Sequence, residues 1–169
     1  MSNTLAGKTL FITGASRGIG KSIALRAAQD GARVVIASKT AEPHPRLEGT
    51  IHTAAEEVRA AGGEALACVV DVRDESSIQA AVDKTVETFG GIDILVNNAA
   101  IAQEKEFENI TDADWDKMLA VNLRGAFSFS QEVIPAMKEK KWGRIVNISS
   151  IGGQVGGLNQ VHYAASKAA

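Results

Sequence analysis

The 169-residue chain is 45% hydrophobic and 22% charged, with sixteen glycines and three prolines, which places it among globular proteins rather than disordered or collagen-like ones. Eighteen Lys and Arg against twenty Asp and Glu leave a net charge of -2, too little positive field to gather nucleic acid or an anionic membrane. One cysteine, Cys68, can form neither an internal disulfide nor a thiolate zinc site, and the chain shows neither a basic leader nor a run of about 18 apolar residues. The expectation is a single domain over residues 1–169, cytoplasmic, without metal, membrane or nucleic-acid partner.

Short apolar runs alternate with longer amphipathic ones from end to end, the pattern of a parallel sheet with helices on both faces. The runs predict strands over Thr9–Thr13, Arg33–Ala37, Ala65–Val70, Ile92–Asn97 and Arg144–Ile148, rich enough in Val and Ile to be buried on both sides. Helices are predicted over Arg17–Asp30, Ile51–Ala61, Glu75–Phe89 and Ala113–Lys140. Gly31, Gly62-Gly63 and Gly90-Gly91 close the first three, and Thr111 with Asp114 caps the fourth, which Pro135 bends or brings to its last turns. Ser38 to Thr50, with Pro43 and Pro45, reads as a long loop, and loops of this length are usually functional or disordered. Glu104–Asp116 reads as a solvated lead-in to the fourth helix, and a fifth helix begins near Gln160. A doubly wound dinucleotide fold has about six strands, so five imply either a fragment lacking its carboxyl-terminal strands or a partner that supplies the remainder.

Directly after the first strand comes Thr13-Gly14-Ala15-Ser16-Arg17-Gly18-Ile19-Gly20, leading into a helix. Gly14 allows a tight turn, Gly18 lets the backbone approach a pyrophosphate, and Gly20 lets helix pack closely on strand. The helix N-terminus then offers free N–H groups to the phosphates. Strand, turn and helix in that order are the context that this motif needs. An acidic residue ending the second strand would bind ribose hydroxyls and repel a 2′-phosphate; here Ser38-Lys39-Thr40 stands instead. Lys39 and Arg17 supply positive charge for that phosphate, so NADP(H) is favoured over NAD(H). His44 and Arg46 read as solvent-facing residues of the same loop.

The single tyrosine, Tyr163, is followed four residues later by Lys167, which puts both on one helix face. A free phenol titrates near 10, and an adjacent ammonium favours its phenolate, making a group able to give or take the proton of a carbonyl or alcohol. The fifth strand ends in Asn147-Ile148-Ser149-Ser150, at the sheet edge where ligands bind in open α/β folds, so a hydroxyl there could hold the reacting oxygen. Asn122 sits inside the fourth helix, where asparagine needs solvent or a partner.

Thr13-Gly14-x-x-x-Gly18-x-Gly20, Asn97-Asn98-Ala99, Asn122, Ser149-Ser150 and Tyr163-x-x-x-Lys167 together resemble the short-chain dehydrogenase/reductase family over essentially the whole chain. The resemblance implies a Rossmann fold and an NADP(H)-dependent oxidoreductase that interconverts a small-molecule carbonyl and a secondary alcohol. It implies Tyr163 as acid/base, Lys167 as its tuner and nicotinamide-ribose ligand, Ser150 as the substrate-orienting serine and Asn122 as the holder of a relay water. It also implies cofactor contacts from Gly14, Ser16, Arg17, Gly18, Ile19, Gly20, Ser38, Lys39, Asp71, Val72, Asn98, Ala99, Tyr163 and Lys167, and a homodimer or homotetramer for the full-length parent. Ala100 replaces the family's usual glycine, and the stop at Ala169 omits its last strands and substrate loop. Lys39–Glu57 resembles the hydroxysteroid-dehydrogenase-like branch, whereas Asn122–Lys167 resembles bacterial 3-oxoacyl carrier-protein reductases, which leaves the substrate open. The alternative functions are a nucleotide-binding but catalytically incomplete module and an interaction domain with an idle glycine turn.

Overall fold

Five parallel strands form the centre of the molecule, in the order β3-β2-β1-β4-β5. The computed structural model describes residues 4–45 and 47–169; Arg46 lies outside them. The strands are β1 Thr9–Thr13, β2 Arg33–Ser38, β3 Glu64–Val69, β4 Ile94–Asn97 and β5 Arg144–Asn147. Chain order runs outward from β1 to β3 and then jumps to β4 on β1's other side, so the direction of winding reverses between β1 and β4. This is the doubly wound, Rossmann-like arrangement, and its reversal opens a crevice at the carboxyl ends of those two strands.

Alternating side chains of the central strands feed two cores. Leu10, Ile12, Val34 and Ile36 pack beneath α1 (Gly18–Gln29) and α2 (Ile51–Ala60), whose inward faces are largely alanine. Phe11, Val35 and Leu95 pack on the other face beneath α3 (Glu75–Phe89) and α5 (Gly125–Glu139), with the Phe11 and Phe129 rings 5.1 Å apart. Burial on both sides holds for β1 and β2 but fails for β3 and β5, because each of these lies at an edge of the sheet. Cys68, on β3, is buried, which pushes its thiol pKa up.

The predicted fourth helix is a continuous helical path in three parts: α4 (Asp112–Leu119), a π turn over Ala120–Arg124, and α5. Thr111 caps it as expected, with Thr111 and Asp114 each bonding the other's backbone N–H. The π irregularity falls at Asn122, and Pro135 lies four residues before the end of α5, in its last turns as expected. Two short helices end the chain, α6 (Gly152–Val155) and α7 (Val161–Ala168). Among the described residues, no helix is long and apolar enough to cross a membrane.

Candidate active site

The turn after β1 is closed from below by the end of β4. Thr13 Oγ1 accepts the backbone N–H groups of Asn98 and Ala99, each at 3.0 Å. Asn98 Nδ2 donates back to the carbonyls of Thr13 and Gly14, at 2.9 and 3.2 Å. Asn98, expected beside the cofactor, therefore spends its amide on holding the glycine turn. The three glycines of that turn differ in what they face. A Cβ on Gly20 would lie 2.6 Å from Asn98 Nδ2 and 2.7 Å from the Gly14 carbonyl, whereas Gly18, at φ +56°, has nothing within 4 Å of that point. Gly20 is a packing glycine; Gly18 borders open space at the N-terminus of α1, the form that a phosphate cradle requires.

Above the turn lies a cleft of about 250 Å³. Its walls bring together Gly14, Ser16, Arg17, Ser38, Lys39, Asp71, Val72 and Ala99 of the predicted cofactor set, while Ile19 stands exposed. Arg17 is held by the β2–α2 loop, with Nη2 donating to the Gly49 carbonyl at 2.8 Å. Ser16 Oγ donates to Ser38 Oγ at 3.3 Å. Asp71 is gripped by Arg73, with Nη2 2.5 Å from Oδ2 and Nε 2.9 Å from Oδ1. These bonds hold the Asp71 carboxyl down to about 2. Sequence reasoning missed Arg73 and Lys117, which add positive charge to this wall; the Asp71-Val-Arg73 turn was the available clue.

Val72, Ala99 and Val121 also line a second cleft of about 430 Å³, so the two form one trough along the carboxyl edge of the sheet. Its far end carries Asn122, Ser149, Ser166 and Lys167. Lys167 Nζ donates to the Ile148 carbonyl at 2.6 Å, and its burial pulls the ammonium pKa down. Ser149 Oγ donates to the Lys167 carbonyl at 2.7 Å, tying the end of β5 to α7. Ser150 and Tyr163 meet over Gly152: a Cβ there would lie 3.5 Å from Ser150 Oγ and 3.6 Å from the Tyr163 ring. The next glycine has no room at all, since a Cβ on Gly153 would sit 2.7 Å from the Lys167 backbone. The Gly152-Gly153 pair lets α6 lie directly on α7, a role that sequence reasoning missed although the two glycines directly follow Ser150 and Ile151.

Asn122 has its partners inside the protein. Its Oδ1 accepts the Ile101 N–H at 2.8 Å, and its Nδ2 donates to the Ile101 carbonyl and to Ser166 Oγ, both at 2.9 Å. Ser166 Oγ in turn donates to the Tyr163 carbonyl at 2.7 Å. The π turn presents this side chain inward, joining the β4–α4 segment to α7, and such insertions are frequent at functional sites.

The sequence pattern of the short chain dehydrogenases matches residues 8–169. The chain belongs to that family. It is 59% identical over 145 residues to hydroxysteroid dehydrogenase-like protein 2 of Xenopus tropicalis and 58% identical to that of Homo sapiens, each match covering 86% of this chain. The matched region spans 35% of the length of those relatives. Among solved structures it is similar to short chain dehydrogenases from Mycobacterium thermoresistibile (46% identity, TM-score 0.89) and Mycobacterium avium (35% identity, TM-score 0.87). These matches cover 98% and 97% of this chain and 59% of each of the others. The family makes the chain an oxidoreductase-type, NAD(P)-binding fold.

Proposed function

We propose that the trough is the site of an NADP(H)-preferring oxidoreductase that interconverts a carbonyl and a secondary alcohol. The observation that carries this reading is the single trough that runs from Arg17 and Lys39, past Gly14 and Ala99, to Lys167, with Ser150 and Tyr163 meeting beside α6. Gly14, Gly18 and Ile19 would take the pyrophosphate, with Gly20 packing the turn beneath them, Asp71 and Val72 the adenine, and Ser16, Arg17, Ser38 and Lys39 the adenosine ribose and its phosphate. Ala99, Tyr163 and Lys167 would take the nicotinamide end, and Asn98 acts by keeping the turn in shape. Arg17, Lys39, Arg73 and Lys117 against the one carboxylate of Asp71 favour the extra phosphate of NADP(H).

When bound, the nicotinamide supplies or accepts the hydride. Tyr163 gives its phenolic proton to the substrate oxygen in reduction and removes the alcohol proton in oxidation. Ser150 holds that oxygen by a hydrogen bond, and the Lys167 ammonium favours the phenolate left on Tyr163. Asn122 keeps α7 in place through Ser166. The full-length protein would be a cytoplasmic homodimer or homotetramer.

Two assays test the proposal separately. NADPH should raise the melting temperature more than NADH, and Lys39→Glu should lower the NADPH preference by roughly tenfold, or about 1.4 kcal/mol. A panel of ketones and aldehydes should consume NADPH, and Tyr163→Phe should abolish that activity; full activity in this variant overturns the role given to Tyr163. Cofactor binding by the chain without turnover of any carbonyl would favour the nucleotide-binding but catalytically incomplete module.

A further inference from the structure

His162, immediately before Tyr163, is fully buried although nothing in the proposed reaction uses it. Its Nε2 lies 3.3 Å from Gln103 Oε1. Gln103 Nε2 donates to Asp114 Oδ1 at 3.4 Å, and a carboxylate can only accept, so the amide oxygen is the end that faces the imidazole. His162 must then carry its hydrogen on Nε2. The other ring nitrogen, Nδ1, is buried with no partner, a loss that an apolar side chain of similar size would avoid. Stability alone therefore does not account for a histidine here.

Helix geometry shows what it can do. His162 and Ser166 each precede Tyr163 and Lys167 by one residue, so the two pairs lie about 100° apart around α7. His162 and Ser166 both bond outward to other segments, while Lys167 reaches the trough and Tyr163 faces Ser150 across Gly152. Both anchors end on the same stretch of chain: Ser166 through Asn122 on Ile101, and His162 on Gln103. Ile101, with Ala99 and Ala100 just before it, forms part of the wall of the cleft above the glycine turn. Gln103 is steadied by Asp114, which Lys105 Nζ holds at 2.5 Å. Alongside, Gln160 Nε2 reaches Glu104 at 3.3 Å and the Lys105 N–H donates to the Asn159 carbonyl at 2.8 Å.

We propose that His162 is a positioning residue for Tyr163, fixing the rotation of α7 against the cleft wall through its hydrogen bond to Gln103. A rotation of about 10° at the outer radius of a helix moves a group by roughly 1 Å, and a 1 Å misplacement can cost about 100-fold in rate. The inference rests on the acid/base role given to Tyr163, so its test includes measurements that need no turnover.

Because Tyr163 is the only tyrosine, ring-labelled tyrosine gives one NMR signal, and long-range nitrogen spectra sort the tautomers of the three histidines. One histidine should stay in the Nε2–H form. Gln103→Met and His162→Leu should each move the Tyr163 signal. They should lower kcat by roughly 10- to 100-fold with KM and NADPH affinity little changed. His162→Gln, which keeps a donor at that reach, should restore both signal and kcat. A folded Gln103→Met protein with the Tyr163 signal of the unaltered chain overturns the proposal, and because Gln103 is exposed this variant decides even if His162→Leu fails to fold. An unaltered chain that turns over no carbonyl would count against the proposed function, while the NMR comparison would still decide the positioning role.

Discussion

Gly18 and Gly20 occupy equivalent places in a familiar motif, yet their surroundings demand different things of them. At Gly18 an alanine meets no atom within 4 Å but must hold φ +56°, which costs about 1–2 kcal/mol. Its methyl would also fill the open space that the proposed cofactor's phosphate would take. At Gly20 the methyl would collide with Asn98 Nδ2 and the Gly14 carbonyl and so push the whole turn apart. Gly20→Ala should therefore lower unfolding stability in urea more than Gly18→Ala, whereas Gly18→Ala should lose NADPH affinity beyond its stability loss, as read by calorimetric titration. Asp71 allows a prediction in pH. Its carboxyl is held at about 2 in the folded protein against about 3.9 in an unfolded chain, so its pairing with Arg73 stabilises the fold above roughly pH 4. That contribution fades as pH falls toward 2. Arg73→Met should flatten the stability profile between about pH 4 and pH 2, measured by denaturant titration at each pH.

Among the elements, the path from Asp112 to Glu139 has the strongest bearing on the site. Its start is secured by the reciprocal Thr111 and Asp114 bonds, and Thr111→Val should remove about 1 kcal/mol of stability in a thermal melt. Its middle carries the π turn that brings Asn122 onto Ile101 and Ser166. Asn122→Leu strips partners from the Ile101 N–H, the Ile101 carbonyl and the Ser166 hydroxyl at once. Leaving the Ile101 N–H and carbonyl without a protein partner, while Ser166 keeps only its bond to the Tyr163 carbonyl, should cost about 2–4 kcal/mol, read as a lower urea midpoint at unchanged slope. The helix periodicity of this stretch was legible, and so was its capping box. The π turn was not, because it answers to the partners of one asparagine rather than to any local pattern. The expected solvated lead-in at Glu104–Asp116 is exposed along most of its length, and what its pattern did not show are the bonds that pin it at Lys105 and Asp114 and, just before it, at Gln103.

Across the whole molecule, the sheet is well covered at its centre and open at β5. In a parallel ladder alternate amides point to opposite neighbours, so Arg144 and Ile148 donate to Asp93 and Asn97 of the β4 side while Ile145 and Asn147 face the free edge. Hydrogen exchange should accordingly be fast at Ile145 and Asn147, slower at Arg144 and Ile148, and slowest in β1, which is flanked on both sides.

Local pattern was enough to place the five strands to within two residues at either end, the glycine turn at the mouth of the sheet, and the Tyr163–Lys167 pair on one helix, because each depends on spacing along a short stretch of chain. The partners of those residues were decided by the packing of distant segments. Asn98 turns toward Gly14 and Arg17 toward Gly49, Asn122 bridges two elements, and His162 is buried against Gln103. Periodicity says which face of an element is apolar; only the assembled fold supplies the group that a buried polar atom on that face must bond.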